Sequence, residues 1–255
     1  MVEILNLSWS DEDGGQSKYF PNRLRALICG PSGSGKTQLL MNIILQKWFK
    51  FKKLVLVSSS LDQPMYKVLI NGLSNNVSFE DLIYVFLNKN YIKKNGIPID
   101  YLMTHLQSNN NIPYSVHNSI ETLDDPDSFD EGTLVIFDDL MLDKGAIKKA
   151  EEFFTRGRPM GISIIFLTQS YYEVPRRTIR ENCNFLILFK QNKKSLDHLH
   201  KDAASEVEAK EFRDFCLSGW SHKHSFIVID STRPSDSGRY RHGLDQVYIP
   251  SQYKI

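Results

Sequence analysis

Residues Leu24 to Phe49 read LRALICGPSGSGKTQLLMNIILQKWF, and this stretch decides the fold. Its apolar run is interrupted by Gly30 to Thr37, a segment rich in glycine and serine that ends in lysine and threonine. Apolar residues then return at the spacing of an amphipathic helix. The interruption matches the pattern GxxxxGK[ST], and a strand before it with a helix after it is the context in which that pattern binds phosphate.

Each residue type in this loop suits phosphate chemistry. Glycines let successive backbone N–H groups turn inward around phosphate oxygens, and the helix N-terminus adds partial positive charge. Lys36 is placed to contact the β- and γ-phosphates, and the hydroxyl of Thr37 to complete the shell of a magnesium ion. We therefore predict a nucleotide site made by Gly30, Pro31, Ser32, Gly33, Ser34, Gly35, Lys36, Thr37 and Gln38.

Composition indicates one ordinary globular domain. The 255 residues are 41% apolar and 24% charged with a net charge of +1, a balance that neither favours nor excludes a nucleic-acid partner. Three cysteines without CxxC spacing are typical of a reducing compartment. Neither a signal peptide nor a spanning apolar run is evident, so we expect an intracellular protein without direct membrane insertion. We predict a single domain with its core at about 23–230 and a tail or hairpin over 231–255.

Short apolar runs alternate with segments of helical period, which predicts an α/β fold. Continuous apolar strands separated by helices are typical of a mainly parallel sheet with helices on both faces. The predicted strands are Leu24 to Cys29, Lys53 to Ser59, Leu82 to Leu87, Thr133 to Asp139, Ile162 to Gln169, Phe185 to Lys190 and Ser225 to Asp230. The predicted helices are Gln38 to Phe49, Ile99 to Leu106 and Lys144 to Thr155.

Two carboxylates follow one of these strands, in the segment TLVIFDDLM. Asp138 is placed to hold the magnesium ion, directly or through water, and Asp139 to orient and deprotonate the attacking water. Paired carboxylates at the end of an apolar strand are costly without a nearby cation, which favours a catalytic site over an Asp-rich turn.

The distance between the two motifs along the chain also carries information. About a hundred residues separate Lys36 from Asp138, enough for further strand and helix pairs. We expect an additional strand between the strand that precedes the phosphate loop (the loop strand) and the strand that ends in Asp138 and Asp139 (the acidic strand). This is the arrangement of motor-type ATPases with a catalytic acid. No NKxD-like guanine motif occurs, since NKKS at Asn192 to Ser195 lacks the aspartate, so ATP is preferred over GTP.

A third block, Phe153 to Lys190, supplies an amide and several arginines. Gln169 ends a predicted strand, where a neutral amide can hydrogen-bond the γ-phosphate or the water, although spacing alone fits an ordinary polar residue equally well. Its arginines fit either a solvated face or phosphate contacts, including a finger that completes a neighbour's site. These arginines are Arg156, Arg158, Arg176, Arg177 and Arg180.

Taken together, GPSGSGKT, VIFDDLM, RGRPMGISIIFLTQS and VPRRTIRENCNFLILFK resemble the FtsK/HerA superfamily. Within it they are most similar to the poxvirus-type genome-packaging ATPases of large DNA viruses, virophages and polinton-like elements. The resemblance covers about residues 23–190 and continues weakly into the tail. It implies a RecA-like ATPase that assembles into a pentameric or hexameric ring and pumps double-stranded DNA into a capsid, at capsid or portal vertex proteins. Such a protein would work in the host cytoplasm or viral factory, or with the virion.

The resemblance also implies residue roles. Gln169 becomes the sensor at the strand end, Arg156 or Arg158 the finger supplied in trans, and Arg180 the second choice. Two departures are visible: many relatives carry Asp-Glu where this chain has Asp138 and Asp139, and often a histidine where this chain has Pro159. The shorter Asp139 must therefore lie closer to its water or act through a second one.

Three other functions stay open from the residues alone. They are a DNA translocase outside packaging, a monomeric small-molecule kinase, and a poorly hydrolysing, nucleotide-gated assembly factor, for which Asp139 in place of glutamate is the best hint. Basic residues that would suit sequence-independent DNA contacts also suit a solvated surface. They are Lys47, Lys50, Lys52, Lys53, Lys89, Lys93, Lys94, Lys190, Lys193, Lys194, Arg233, Arg239 and Arg241.

Overall fold

A computed structural model describes residues 19–106, 111–140 and 144–254. One sheet runs through the described part of the chain. Its strands are β1 (Arg25–Cys29), β2 (Lys53–Ser58), β3 (Tyr114–His117), β4 (Thr133–Asp138), β5 (Ser163–Thr168), β6 (Phe185–Phe189), β7 (Phe226–Asp230), β8 (Tyr240–His242) and β9 (Gln246–Tyr248). The helices are α1 (Lys36–Leu45), α2 (Pro64–Ser74), α3 (Phe79–Leu87), α4 (Lys89–Lys94), α5 (Ile99–His105), α6 (Lys144–Arg156), α7 (Lys193–Ala203) and α8 (Ala209–Gly219).

The strand order is β3-β2-β4-β5-β1-β6-β7-β8-β9. Strands β1 to β6 pair in parallel, whereas β7, β8 and β9 each pair antiparallel with their neighbours. Strand β5 lies between the loop strand β1 and the acidic strand β4, so the additional-strand, RecA-like arrangement predicted from the sequence is confirmed. Parallel pairing brings the carboxyl ends of β1, β4 and β5 to one edge of the sheet, where ligands bind in such folds.

Helices cover both faces of the sheet, as predicted. In β1, Ala26 and Ile28 pack into the layer formed with α1 to α5, while Leu27 and Cys29 pack into the layer with α6 to α8. This alternation is the two-residue period of a strand that is buried on both sides. The sheet therefore lies between two apolar layers, and the carboxyl ends of its parallel strands remain accessible for the site.

One predicted strand is wrong, because Leu82 to Leu87 lies within helix α3. Ser78 caps this helix by accepting a hydrogen bond from the Asp81 N–H at 3.0 Å. The buried residues of the segment recur at helical intervals; they are Phe79, Leu82, Val85 and Phe86. A short apolar run is compatible with either element, and here the cap and the spacing decide for the helix.

Several element boundaries also differ from the sequence-based expectations. Helix α1 ends at Leu45 rather than Phe49, because Lys47 takes a positive φ of 53°. Strand β7 runs antiparallel to β6 even though two helices separate them, since α7 and α8 together return the chain to the edge from which it left. Strand β3 escaped sequence analysis because its residues are only half-buried and show no apolar run.

Candidate nucleotide site

The loop between β1 and α1 has the backbone that the sequence predicts. Gly33 and Gly35 take positive φ values of 72° and 109°, which residues with a Cβ rarely adopt. Helix α1 starts at Lys36 without a side-chain cap, so its first N–H groups remain for a ligand. The Lys36 ammonium donates to the carbonyl oxygens of Gly30 at 2.6 Å and Pro31 at 3.2 Å. Burial lowers the pKa of Lys36, while the nearby charge of Asp138 acts in the opposite direction.

The two carboxylates at the end of β4 lie in different environments. Asp138 is only 6% exposed, and burial, assisted by the charge of Asp139, raises its pKa. The hydrogen bond from Tyr66 and the charge of Lys36 act against this rise. Asp139 is exposed and takes a positive φ of 48°. Asp138 is therefore buried in the wall of the site, whereas Asp139 is exposed to solvent.

Sequence analysis missed the side chains that hold these carboxylates. Tyr66 on α2 is completely buried and donates its hydroxyl to Asp138 Oδ2. Burial raises the pKa of Tyr66 well above its ordinary range, so the phenol stays protonated as a donor. Ser59 donates to the backbone carbonyl of Asp139, and Ser60 donates to Asp139 Oδ2. Ser58 ends β2 and Ser59 and Ser60 follow it, but neither these serines nor Tyr66 form a local pattern that marks the site.

Gln169 lies where the sequence predicted, directly after β5. The Gly30 N–H donates to the carbonyl of Thr168 at 3.1 Å, which joins the end of β5 to the start of the phosphate loop. Gln169 is exposed and lines the same cavity as Lys36, Asp138 and Asp139.

This cavity has a volume of about 1260 Å³ and is larger than the loop region alone. It extends from the phosphate loop past the carboxylates to the helices α2 to α5. Lys89 and Lys93, one turn apart on α4, line this extension together with Phe86 and Ile97. His224, which follows α8, lines the cavity beside the loop.

The structure does not bring the predicted arginine fingers to this cavity. Arg156 ends α6 and pairs with Asp127, and Arg158 follows in an exposed turn. Helix α6 has 13 residues and leads from the acidic end of β4 towards the opposite edge of the sheet, about 20 Å away. Arg158 makes no ion pair with any residue in 19–106, 111–140 or 144–254.

Two further arginines have partners inside the subunit. The Arg180 side chain is 7% exposed, pairs with Asp202 at 2.6 Å and lies over the Tyr171 ring. A role as a finger would require breaking this pair. Arg241, considered above for DNA, is 3% exposed and pairs with the buried Asp230 at 2.8 Å. That expectation is wrong for Arg241, since its guanidinium lies in the core.

A family model described as Poxvirus A32 protein matches residues 16–236. The chain belongs to the poxvirus A32 family. Membership confirms the resemblance to poxvirus-type ATPases that the sequence motifs carried, and the additional-strand sheet of this A32-family chain agrees with it. Among curated proteins, no sequence matches the chain.

Two solved structures illustrate what this A32-family chain is similar to in fold. One is the genome packaging NTPase B204 from Sulfolobus turreted icosahedral virus 2 in complex with AMPPCP, with 13% identity and a TM-score of 0.45, covering 84% of this chain and 95% of that one. The other is VirB4 of Thermoanaerobacter pseudethanolicus, with 10% identity and a TM-score of 0.48, covering 82% of this chain and 87% of that one.

Within the ranges that the structure describes, none of the helices combines the length and apolar character needed to cross a membrane.

Proposed function

We propose that this chain is a genome-packaging ATPase that uses ATP hydrolysis to move double-stranded viral DNA into a capsid. We further propose that it acts as one ATPase domain within a homo-oligomeric ring, pentameric or hexameric, docked on capsid or portal vertex proteins. One observation carries the proposal. In this chain of the poxvirus A32 family, the phosphate loop, Asp138 and Gln169 line one cavity, at the ends of strands that lie in the order β4-β5-β1.

The residues divide the chemistry among them. Lys36 and the N–H groups at the start of α1 would neutralise the phosphate oxygens of ATP. Asp139, whose Oδ2 accepts from Ser60, would use Oδ1 to orient and deprotonate the attacking water. Gln169 would hydrogen-bond the γ-phosphate without adding charge to the site.

Thr37 and Asp138 both line the cavity and carry the hard oxygen donors that magnesium prefers. Bound there, magnesium would neutralise charge on the β- and γ-phosphates. Tyr66 would fix the orientation of the Asp138 carboxylate towards it by occupying the other oxygen.

Steady-state ATP hydrolysis with and without long double-stranded DNA at low salt tests the proposal, with Lys36→Ala as the blank. We expect hydrolysis that depends on Lys36 and rises with DNA, because phosphate contacts couple the motor to its track. Lysine-dependent hydrolysis that stays indifferent to DNA, also when capsid proteins are added, would contradict the translocation role. Bound ATP without any turnover would favour the nucleotide-gated assembly factor.

A further inference from the structure

His224 reaches the phosphate loop from a distant part of the chain. The turn between α8 and β7 carries it with a positive φ of 66°, and its Nδ1 lies 2.9 Å from the carbonyl oxygen of Ser34. The ring is half-buried and lines the nucleotide cavity beside Ser32, Gly33 and Gly35. None of the functional assignments above uses this side chain.

The contact with Ser34 determines the chemistry of the other ring nitrogen. A carbonyl oxygen only accepts hydrogen bonds, so Nδ1 must carry the proton and donate it. In the neutral imidazole, Nε2 is then an acceptor. Nε2 forms no hydrogen bond with the residues that the structure describes. The cavity therefore contains an acceptor suited to a ligand N–H or O–H group.

The sheet order indicates which part of ATP lies near this acceptor. Strand β1 separates β5 and β4, which carry Gln169 and the carboxylates, from β6 and β7. Phe226 at the start of β7 pairs with Phe189 at the carboxyl end of β6. The turn that holds His224 therefore lies at the carboxyl ends of the parallel strands, where the site is. The γ-phosphate belongs beside the catalytic carboxylates. The nucleoside consequently extends towards the β6–β7 side.

We propose that His224 Nε2 accepts a hydrogen bond from the nucleoside of ATP, either from the exocyclic amine of adenine or from a ribose hydroxyl. The inference rests on ATP as the nucleotide of the proposed function, and it names the recognition group of that site. If the donor is the amine, His224 also discriminates against GTP, because guanine presents an oxygen acceptor at the same ring position.

The variant His224→Asn separates this role from support of the loop. An asparagine amide nitrogen is as many bonds from the backbone as histidine Nδ1, so it can still donate to Ser34, and asparagine tolerates positive φ. The substitution removes the Nε2 acceptor with the outer part of the ring, and the new Oδ1 acceptor lies one bond closer to the backbone than Nε2 did. His222→Asn is the matched control, since His222 is exposed two residues away.

Dissociation constants are measured without Mg²⁺, so that no hydrolysis occurs, for ATP, 2′-deoxy-ATP, 3′-deoxy-ATP, purine riboside triphosphate and inorganic tripolyphosphate. We expect His224→Asn to weaken ATP binding about threefold to tenfold, the loss of one hydrogen bond, and to leave tripolyphosphate binding unchanged. The analogue that lacks the donor should bind the wild-type protein correspondingly weakly and show no further loss in the variant, which identifies amine or hydroxyl.

Unchanged ATP affinity in His224→Asn would overturn the assignment. Equal losses for ATP and tripolyphosphate would also overturn it, because they would indicate a loop-supporting role only. The binding assay involves neither DNA nor hydrolysis, so failure of the packaging role would leave its result unaffected, and the reverse also holds.

Discussion

At the scale of single residues, the site depends on how one buried carboxylate is held. Asp138 accepts a hydrogen bond from Tyr66, interacts with the Lys36 charge and is only 6% exposed. A carboxylate in such a place needs compensation for its lost hydration. The phenol supplies part of it while leaving the second oxygen for a metal ion, so Tyr66 is a positioning residue.

Replacing Tyr66 with phenylalanine removes one hydroxyl and preserves the packed ring. Because groups that orient metal ligands typically change metal affinity or activity 10- to 100-fold, we expect Tyr66→Phe to raise the Mg²⁺ concentration for half-maximal ATP hydrolysis about tenfold. The measurement is a Mg²⁺ titration of ATPase activity. Tyr84→Phe, at a tyrosine that is 61% exposed, is the control and should titrate as wild type. Identical titrations for both variants would mean that Tyr66 is only a core residue.

At the scale of elements, the helices between β2 and β3 form the far wall of the cavity. Helices α2 and α3 approach closely at Gly72, where an added Cβ would lie 2.3 Å from Leu82 Cδ2 and 2.7 Å from Cδ1. Gly72 does not have a positive φ, so the backbone conformation does not demand glycine there. The close approach of the two helices does. The packing of this pair sets the position of Tyr66 on the same helix.

Gly72→Ala should therefore destabilise the fold by overpacking, by about 1–3 kcal/mol. Urea denaturation provides the free energy of unfolding. The double variant Gly72→Ala with Leu82→Ala tests the cause, because a methyl group at 72 would partly fill the space that the smaller side chain leaves. We expect the double variant to lose less stability than the two single variants combined. If the losses of the two single variants simply added up in the double variant, the contact between residue 72 and Leu82 would not be the cause of the destabilisation.

The C-terminal hairpin of β8 and β9 is attached through a carboxylate between α7 and α8. Glu206 accepts hydrogen bonds from Tyr240 and Ser235 and pairs with Arg239. Burial alone would raise the pKa of Glu206, but the hydrogen bonds and the arginine charge outweigh it, so the pKa lies below its ordinary value. A lowered folded-state pKa stabilises the fold above the unfolded value, and that contribution is lost as the pH falls through the folded value.

We expect Glu206→Gln to reduce the free energy of unfolding by about 1 kcal/mol at neutral pH, the scale of one hydrogen bond. The difference from wild type should shrink as the pH falls below about 4.5, where the unfolded chain binds its proton. Denaturant melts across this range measure it. Glu208→Gln, at an exposed glutamate nearby, should show no such pH-dependent difference. A constant difference at all pH values would contradict the linkage.

At the scale of the whole molecule, two groups suited to one reaction lie at opposite edges of the sheet. The phosphate loop and Asp138 lie at the carboxyl ends of the strands, while α6 leads towards the amino ends, with Arg156 as its last residue and Arg158 just after it. Repeated head-to-tail contact between subunits can bring such edges together in a ring. Arg158 is the leading candidate for a finger in trans, because Arg156 already pairs with Asp127.

Mixed rings test this arrangement. Arg158→Ala alone should bind ATP normally and hydrolyse it about a thousandfold more slowly, and Lys36→Ala alone should be inactive. An equimolar random mixture leaves about a quarter of the interfaces with both groups intact, so hydrolysis should partly recover. Arg213→Ala, at an exposed arginine on α8, is the control and should remain active without mixing. No recovery in rings that are verified to be mixed would exclude Arg158 as a trans group.

The sequence by itself determined the phosphate loop, the acidic strand and the position of Gln169, because each is a local pattern next to a strand end. It also predicted an additional strand between β1 and β4, although the strand in that place is β5, which follows Asp138 in the chain and does not belong to the segment between the two motifs. Tertiary structure alone decided that Tyr66, Ser60 and His224 join the site. These residues are far from the motifs in the chain and have ordinary local patterns, so only packing brings them together. Tertiary structure likewise decided between helix and strand at Leu82, where capping by Ser78 and burial at helical intervals outweighed an apolar run that fits both.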